Sequence, residues 1–134
     1  RAGLGMVDGI TALIPNVRVG HIGLYRDHDT HQPVEYYCKL PEDVVERDVI
    51  LLDPMLATGL SMEVGYKALL SHGTPKSVHI ACLFGTPQAI EYLQANMPED
   101  ATLWCAVIDP MLNEKKYIVP GLGDAGDLCF GEKL

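Results

Sequence analysis

Residues 49–61 read VILLDPMLATGLS, and this stretch decides how the rest of the chain is to be read. Four aliphatic residues, Val49 to Leu52, form a run too apolar for a half-wet strand. Such a run fits a strand buried on both faces, as in a parallel sheet. It ends at Asp53, and small or hydroxyl-bearing residues follow: Ala57, Thr58, Gly59 and Ser61. A second periodic segment, 61–72, then places Met62, Tyr66, Leu69 and Leu70 on one helical face, with Gly73 where a left-handed C-cap belongs.

The pattern repeats downstream. VHIACLF (78–84) reads as a second buried strand. Thr86-Pro87 supplies an N-cap followed by proline at the first helical position. The helix after it runs to about Met97, with Ile90, Leu93 and Met97 inward. TLWCAVI (102–108) reads as a third strand, with Trp104 in the core. The middle is therefore β-α-β-α-β, which implies a parallel sheet covered by helices. Upstream, 4–14 has helical spacing at Leu4, Val7, Ile10 and Ile14, closed by Pro15. Residues 17–26 and 34–40 suggest two strands joined as a long hairpin arm. Downstream, 110–134 reads as loop-rich, its PGLGDAGD carrying three glycines. No internal repeat or low-complexity segment is found.

A length of 134 residues suits one domain with a single core. The net charge of −8 argues against nucleic acid and against an anionic membrane surface as partners. No apolar run reaches the roughly 18 residues needed to span a bilayer, and the first residues do not read as a basic-plus-apolar signal peptide. Cys38, Cys82, Cys105 and Cys129 form no CxxC pair and read as buried free thiols of a cytoplasmic protein. His28 and His31, in HDTH, read as a solvated loop tip rather than a metal site, and His21, His72 and His79 as equally ordinary.

Ligands of open parallel sheets bind beyond the carboxyl ends of the strands. Asp53 stands at that edge, and the segment behind it enters a helix N-terminus, where unpaired N–H groups favour an anion. A carboxylate before such a cradle suits a sugar phosphate. An ordinary strand-to-helix turn accounts for Thr58 and Ser61 equally well, though not for Asp53.

Asp53-Pro54-Met55-Leu56-Ala57-Thr58-Gly59 resembles the phosphoribosyl diphosphate (PRPP) motif of the uracil phosphoribosyltransferases, which replace the second acid of that motif with proline. RAGLGM at 1–6 resembles the family's diphosphate loop, and LNEKKYIVPGLGDAGD at 112–127 its uracil-binding segment. The resemblance implies a type I phosphoribosyltransferase fold: α/β, mainly parallel sheet flanked by helices, with a β-hairpin arm and a C-terminal base-binding region. It implies one domain over 1–134, N-terminally incomplete relative to the family. It implies transfer of ribose 5-phosphate from PRPP to uracil, giving UMP and diphosphate.

The same resemblance assigns roles. Asp53, Arg26 and Asp124 are the catalytic candidates. PRPP would be held by Arg1, Arg26, Asp124 and the run Asp53, Pro54, Met55, Leu56, Ala57, Thr58, Gly59, Leu60 and Ser61. Backbone groups of Ile118, Gly123, Asp124 and Ala125 would read uracil. Mg2+ is expected mainly through PRPP oxygens, with no dedicated protein metal site. GTP as activator, and a homodimer or higher homo-oligomer, are family expectations. Leu60 departs from the family, which has a second glycine there; a positive φ at Leu60 would be strained. Two rivals are a nucleotide-sensing regulator on the same fold, disfavoured by 10 basic against 18 acidic residues, and an inactive truncated domain.

Overall fold

The computed structural model describes residues 1–27, 29–30 and 32–131. His28 and His31 lie outside the described residues. Three consecutive parallel segments organise everything else. Strand β3 (Asp48–Leu52) and strand β6 (Thr102–Ile108) pair with opposite edges of β5 (Ser77–Gly85), all parallel. A two-residue strand, β4 (Met55–Leu56), resumes beside the end of β5 on the edge that β3 has just left. Pro54 explains the interruption: it has no N–H to give, but its carbonyl accepts from Leu83 and Phe84 N–H.

Helices α2 (Leu60–Leu70) and α3 (Pro87–Asn96) cross between these strands on one face. Their apolar sides meet Leu56, Ile80 and Cys82 through Met62, Ala89 and Leu93, and a neighbouring cluster joins Val44, Leu69 and Val78. Leu70, expected inward, is exposed, and Ala68 takes the buried position. Gly73 does have positive φ, but it lies two residues past Ser71, the C-cap. The Thr86 cap is as read: its side chain accepts from Ala89 N–H.

The other sheet face carries Ile50, Leu83, Trp104 and Ile108, all exposed. The expectation that Trp104 is core is therefore wrong for this chain; it is 66% exposed. Its apolar neighbours along β6 gave the right strand but could not say which face a second layer covers. The thiols also differ from expectation, since only Cys82 is buried, and Cys129 is exposed. Burial raises the Cys82 thiol well above its ordinary range, helped by the adjoining Cys105.

Helix α1 (Leu4–Leu13) precedes the hairpin of β1 (His21–Arg26) and β2 (Pro33–Lys39) and has no buried residue. The hairpin is antiparallel, as read, although residues 17–20 lie outside it. Its register slips after Gly23, where the Tyr36 ring occupies the space a Cβ at Gly23 would need. A 3-10 turn, Val44–Glu46, leads into β3. The tail is more structured than its glycines suggested. Strands β7 (Met111–Leu112) and β8 (Ile118–Val119) form a small hairpin, and α4 (Ala125–Phe130) follows with Asp124 as N-cap.

Candidate functional site

Three separate stretches meet at the carboxyl edge of the parallel sheet. Asp53 follows the last residue of β3, its N–H bonded to Ala81 O of β5. Its Oδ1 accepts from Met55 N–H at 3.1 Å, an Asx turn that aims the carboxyl off the strand end. Burial pushes the Asp53 carboxyl above the ordinary carboxylate range; the Met55 amide and the positive charge of Arg26 partly oppose this. Arg26 is exposed at the end of β1.

The segment from Arg1 to Gly3 lies against the same strand end. A Cβ built on Gly3 would stand 2.6 Å from Leu52 O, so only glycine lets this stretch approach β3. Arg1 reaches onward to α4. Its guanidinium pairs with Asp127 and donates to Gly131 O at 3.0 Å. It also flanks Gly126, where an added Cβ would lie 3.3 Å from Arg1 Nε and 3.1 Å from Asp124 Oδ1. Arg1 and Asp124, expected together from sequence, are therefore neighbours. Asp127 was missed; its place three residues after the Asp124 N-cap, in the first turn of a helix, was the available signal.

The cradle takes a different form from the one expected. Met55 and Leu56 are not loop: they belong to β4, and Leu56 is 1% exposed. The turn proper is Ala57, Thr58 and Gly59, after which α2 begins at Leu60. Gly59 is the N-cap, with φ 85°, a conformation glycine adopts without strain. The space its missing Cβ would take belongs to Tyr92 and Ala89 of α3, at 2.9 and 3.3 Å. Gly59 is thus needed for packing as well as for its turn. Leu60 carries no positive φ, so the strain that such a φ would bring is absent. Thr86, 1% exposed, donates to Ala57 O at 2.8 Å and so ties the turn to the head of α3.

The uracil-reading candidates lie along the tail. Ile118 is buried in β8, and Ala125 is buried at the first position of α4. Gly123 has φ 88° with open space around it. Asp124 Oδ1 caps α4 by accepting from Asp127 N–H at 2.9 Å. A further acid, Asp109, is 6% exposed and accepts from Gly121 N–H at 2.9 Å. It too escaped notice, although the sequence signals it: Asp-Pro-Met-Leu at 53–56 recurs at 109–112, a short repeat within a chain read as having none.

Among the described residues no three His, Cys, Asp or Glu side chains converge on a metal position. Isolated carboxylates such as those of Asp53 and Asp124 nonetheless fit Mg2+, which keeps few protein ligands and takes the rest from substrate phosphates and water. Among the described residues no helix is long and apolar enough to cross a membrane.

The family model described as uracil phosphoribosyltransferase matches residues 1–132. The chain is 56% identical over 133 residues to a uracil phosphoribosyltransferase of Clostridium perfringens, and equally to one of Exiguobacterium sp.. It is 54% identical to that of Desulfitobacterium hafniense. Each alignment covers 99% of this chain and 63% of the relative's length. The solved structure of the AQ2163 protein from Aquifex aeolicus superposes with a TM-score of 0.91 at 34% identity, over 100% of this chain and 63% of that one. With the sheet edge, the cradle and the tail in the order that the motifs required, the chain belongs to the uracil phosphoribosyltransferase family.

Proposed function

We propose that this chain moves the ribose 5-phosphate group of PRPP onto N1 of uracil, giving UMP and diphosphate. The observation that carries the reading is the meeting of Asp53, the Ala57–Ser61 turn and the Arg1 segment at one sheet edge in a chain of this family. In this reading the N–H groups heading α2, with Thr58 and Ser61, hold the 5′-phosphate. Arg1 exchanges Asp127 for diphosphate oxygens, and Arg26 approaches the same group from the hairpin; guanidinium forks suit phosphate.

The C1′–O bond to diphosphate breaks and a C1′–N1 bond forms, through a cation-like ribose, while the proton of uracil N1 is released to water. Asp53 places negative charge beside that developing cation, and preorganised charge of this kind lowers barriers without reorganising. Asp124 faces the ribose hydroxyls. Mg2+, when bound through PRPP oxygens, neutralises charge on the departing diphosphate. Backbone groups of Ile118, Gly123, Asp124 and Ala125 read the pyrimidine edge. Cytoplasmic residence, a homodimer or larger homo-oligomer, and GTP activation accompany this reading as family properties.

The test is UMP formation from uracil and PRPP, with cytosine as competitor. A backbone N–H cannot turn into an acceptor when the ring's 4-position changes from carbonyl to amine. Uracil should therefore be favoured by about 10⁴ or more in kcat/KM. Comparable use of cytosine would overturn the backbone reader. PRPP binding without UMP formation would favour a sensor on the same fold.

A further inference from the structure

We propose that Asp109 is a positioning residue: its buried carboxyl fixes the middle of the base-binding loop and so sets the affinity for the pyrimidine without touching phosphate or ribose. The inference deepens the uracil-transfer reading and rests on it.

Between Ile118 and Ala125 no residue of the tail is buried, so this loop is held by apolar packing only at its two ends. The turn itself is tight. Gly121 has φ 47°, and a Cβ there would stand 2.2 Å from Ile118 O. Gly121 has no side chain to anchor it. Among the described residues Asp109 is the one side chain that bonds to the backbone of 119–123, through Gly121 N–H to Oδ2 at 2.9 Å.

Asp109 is itself fixed. Its N–H donates to Gly85 O at 2.9 Å, which pins it to the end of the central strand β5. The residue is 6% exposed, and its carboxyl is a strut between the rigid sheet and the loop apex. Gly123 and Asp124, two and three residues further on, are the proposed readers of the base. A buried carboxyl left without its donor, or a donor without its carboxyl, is costly enough to hold a loop in one shape.

The test compares two ligands of the native chain by calorimetry. UMP presents both base and phosphate, whereas ribose 5-phosphate lacks the base, so the Kd of ribose 5-phosphate divided by the Kd of UMP measures the base site alone. Asp109→Ala should lower that ratio at least about fivefold by leaving Gly121 N–H unpaired. Ribose 5-phosphate should bind within about twofold of wild type, because the side-chain bond that the substitution removes runs to Gly121 and not to the turn at 57–61, while the backbone bond from Asp109 to Gly85 is kept. Asp109→Asn keeps an acceptor oxygen and should restore most of the ratio, a rescue that general loss of packing would not allow.

Amide exchange in the unmutated protein adds a reading that needs no variant: Gly121 N–H should exchange far more slowly than Gly123 N–H. Equal exchange of the two, or an unchanged ratio in a folded Asp109→Ala protein, overturns the positioning role while leaving uracil recognition standing. A wild-type chain that binds UMP no better than ribose 5-phosphate overturns the base-site reading, and the positioning role falls with it.

Discussion

Asp-Pro-Met-Leu occurs twice, each time at the carboxyl end of a parallel strand, and the two copies do opposite things. At 53–56, Asp53 turns to its own neighbour Met55, and Met55–Leu56 rejoins the sheet beside β5. At 109–112, Asp109 is buried and reaches Gly121, twelve positions away, while Met111–Leu112 leaves the sheet to pair antiparallel with β8. Leu56 is 1% exposed; Met111 is 58% exposed.

The four residues are identical, so the cause lies beside them. β5 runs on past the end of β3, which leaves Phe84 and Gly85 as an open edge for Met55 and Leu56. β6 ends level with β5, Ile108 opposite Gly85, so no parallel edge remains for Met111. The same tetrapeptide rejoins the parallel sheet in one place and reaches across to a distant loop in the other. A short motif therefore reports chemistry only together with the length of the strand next to it.

The sharpest break of the comparison is at Asp53. Asp53→Asn should lose about 2–4 kcal/mol of transition-state stabilisation, read as a fall in kcat/KM for PRPP, because shape is kept and charge removed. Wild-type kinetics would make the first copy as structural as the second. The same variant should be more stable than wild type at neutral pH. Burial raises the Asp53 carboxyl in the folded state, so stability is full below the ordinary carboxylate range and falls as pH rises through the raised value. Asparagine lacks that loss, and the gap in Tm should close in acid. A gap that widens in acid would mean the carboxylate is favoured by the fold.

Thr86→Val probes what holds the first copy's turn. It strips the partners from Ala57 O and Ala89 N–H in a buried place and should cost about 2–3 kcal/mol in urea unfolding. Gly121→Ala probes the second copy's partner. Its Cβ meets Ile118 O, and a cost of about 1–3 kcal/mol is expected, with phosphate affinity preserved. A loss of ribose 5-phosphate binding would join the two regions that the comparison separates. Leu60→Gly should do least. Leu60 sits at the start of α2 with ordinary φ, so glycine should lower stability by about 0.5–1 kcal/mol without tightening PRPP. Tighter binding in calorimetry would restore the idea of a strained cradle.

What was legible in the chain follows from which signals are local. β3, β5 and β6 announced themselves because each is a continuous apolar run, and α3 because Thr86-Pro87 is a local cap. Asp53 was found because its place before a helix start is unusual for a plain turn. The helix α4 was not found, since six residues beginning Ala-Gly-Asp carry no periodicity. β7 and β8 are two residues each, too short to alternate. Trp104 was misplaced because its hydrophobicity says it can be buried, while burial depends on a layer that its own strand does not encode. Asp109 and Asp127 act through partners 12 and 126 positions away, distances no window along the chain can see.

The turn at Ala57–Gly59 is gripped by α3 from more than one side. Thr86 holds Ala57 O, the Tyr92 ring fills the space beside Gly59, and the Tyr92 hydroxyl donates to Glu63 Oε2 at 2.6 Å one turn into α2. Folding has then already removed the freedom that a floppy anion loop would surrender at the moment of capture. Phosphate should meet a receptor that is set before it arrives, with little ordering entropy opposing the encounter. The backbone of α2's first turn should accordingly show nearly the same order parameters with and without ligand, even though its amides gain protection from the phosphate they hold, and the motion that accompanies binding should fall to the hairpin and the tail.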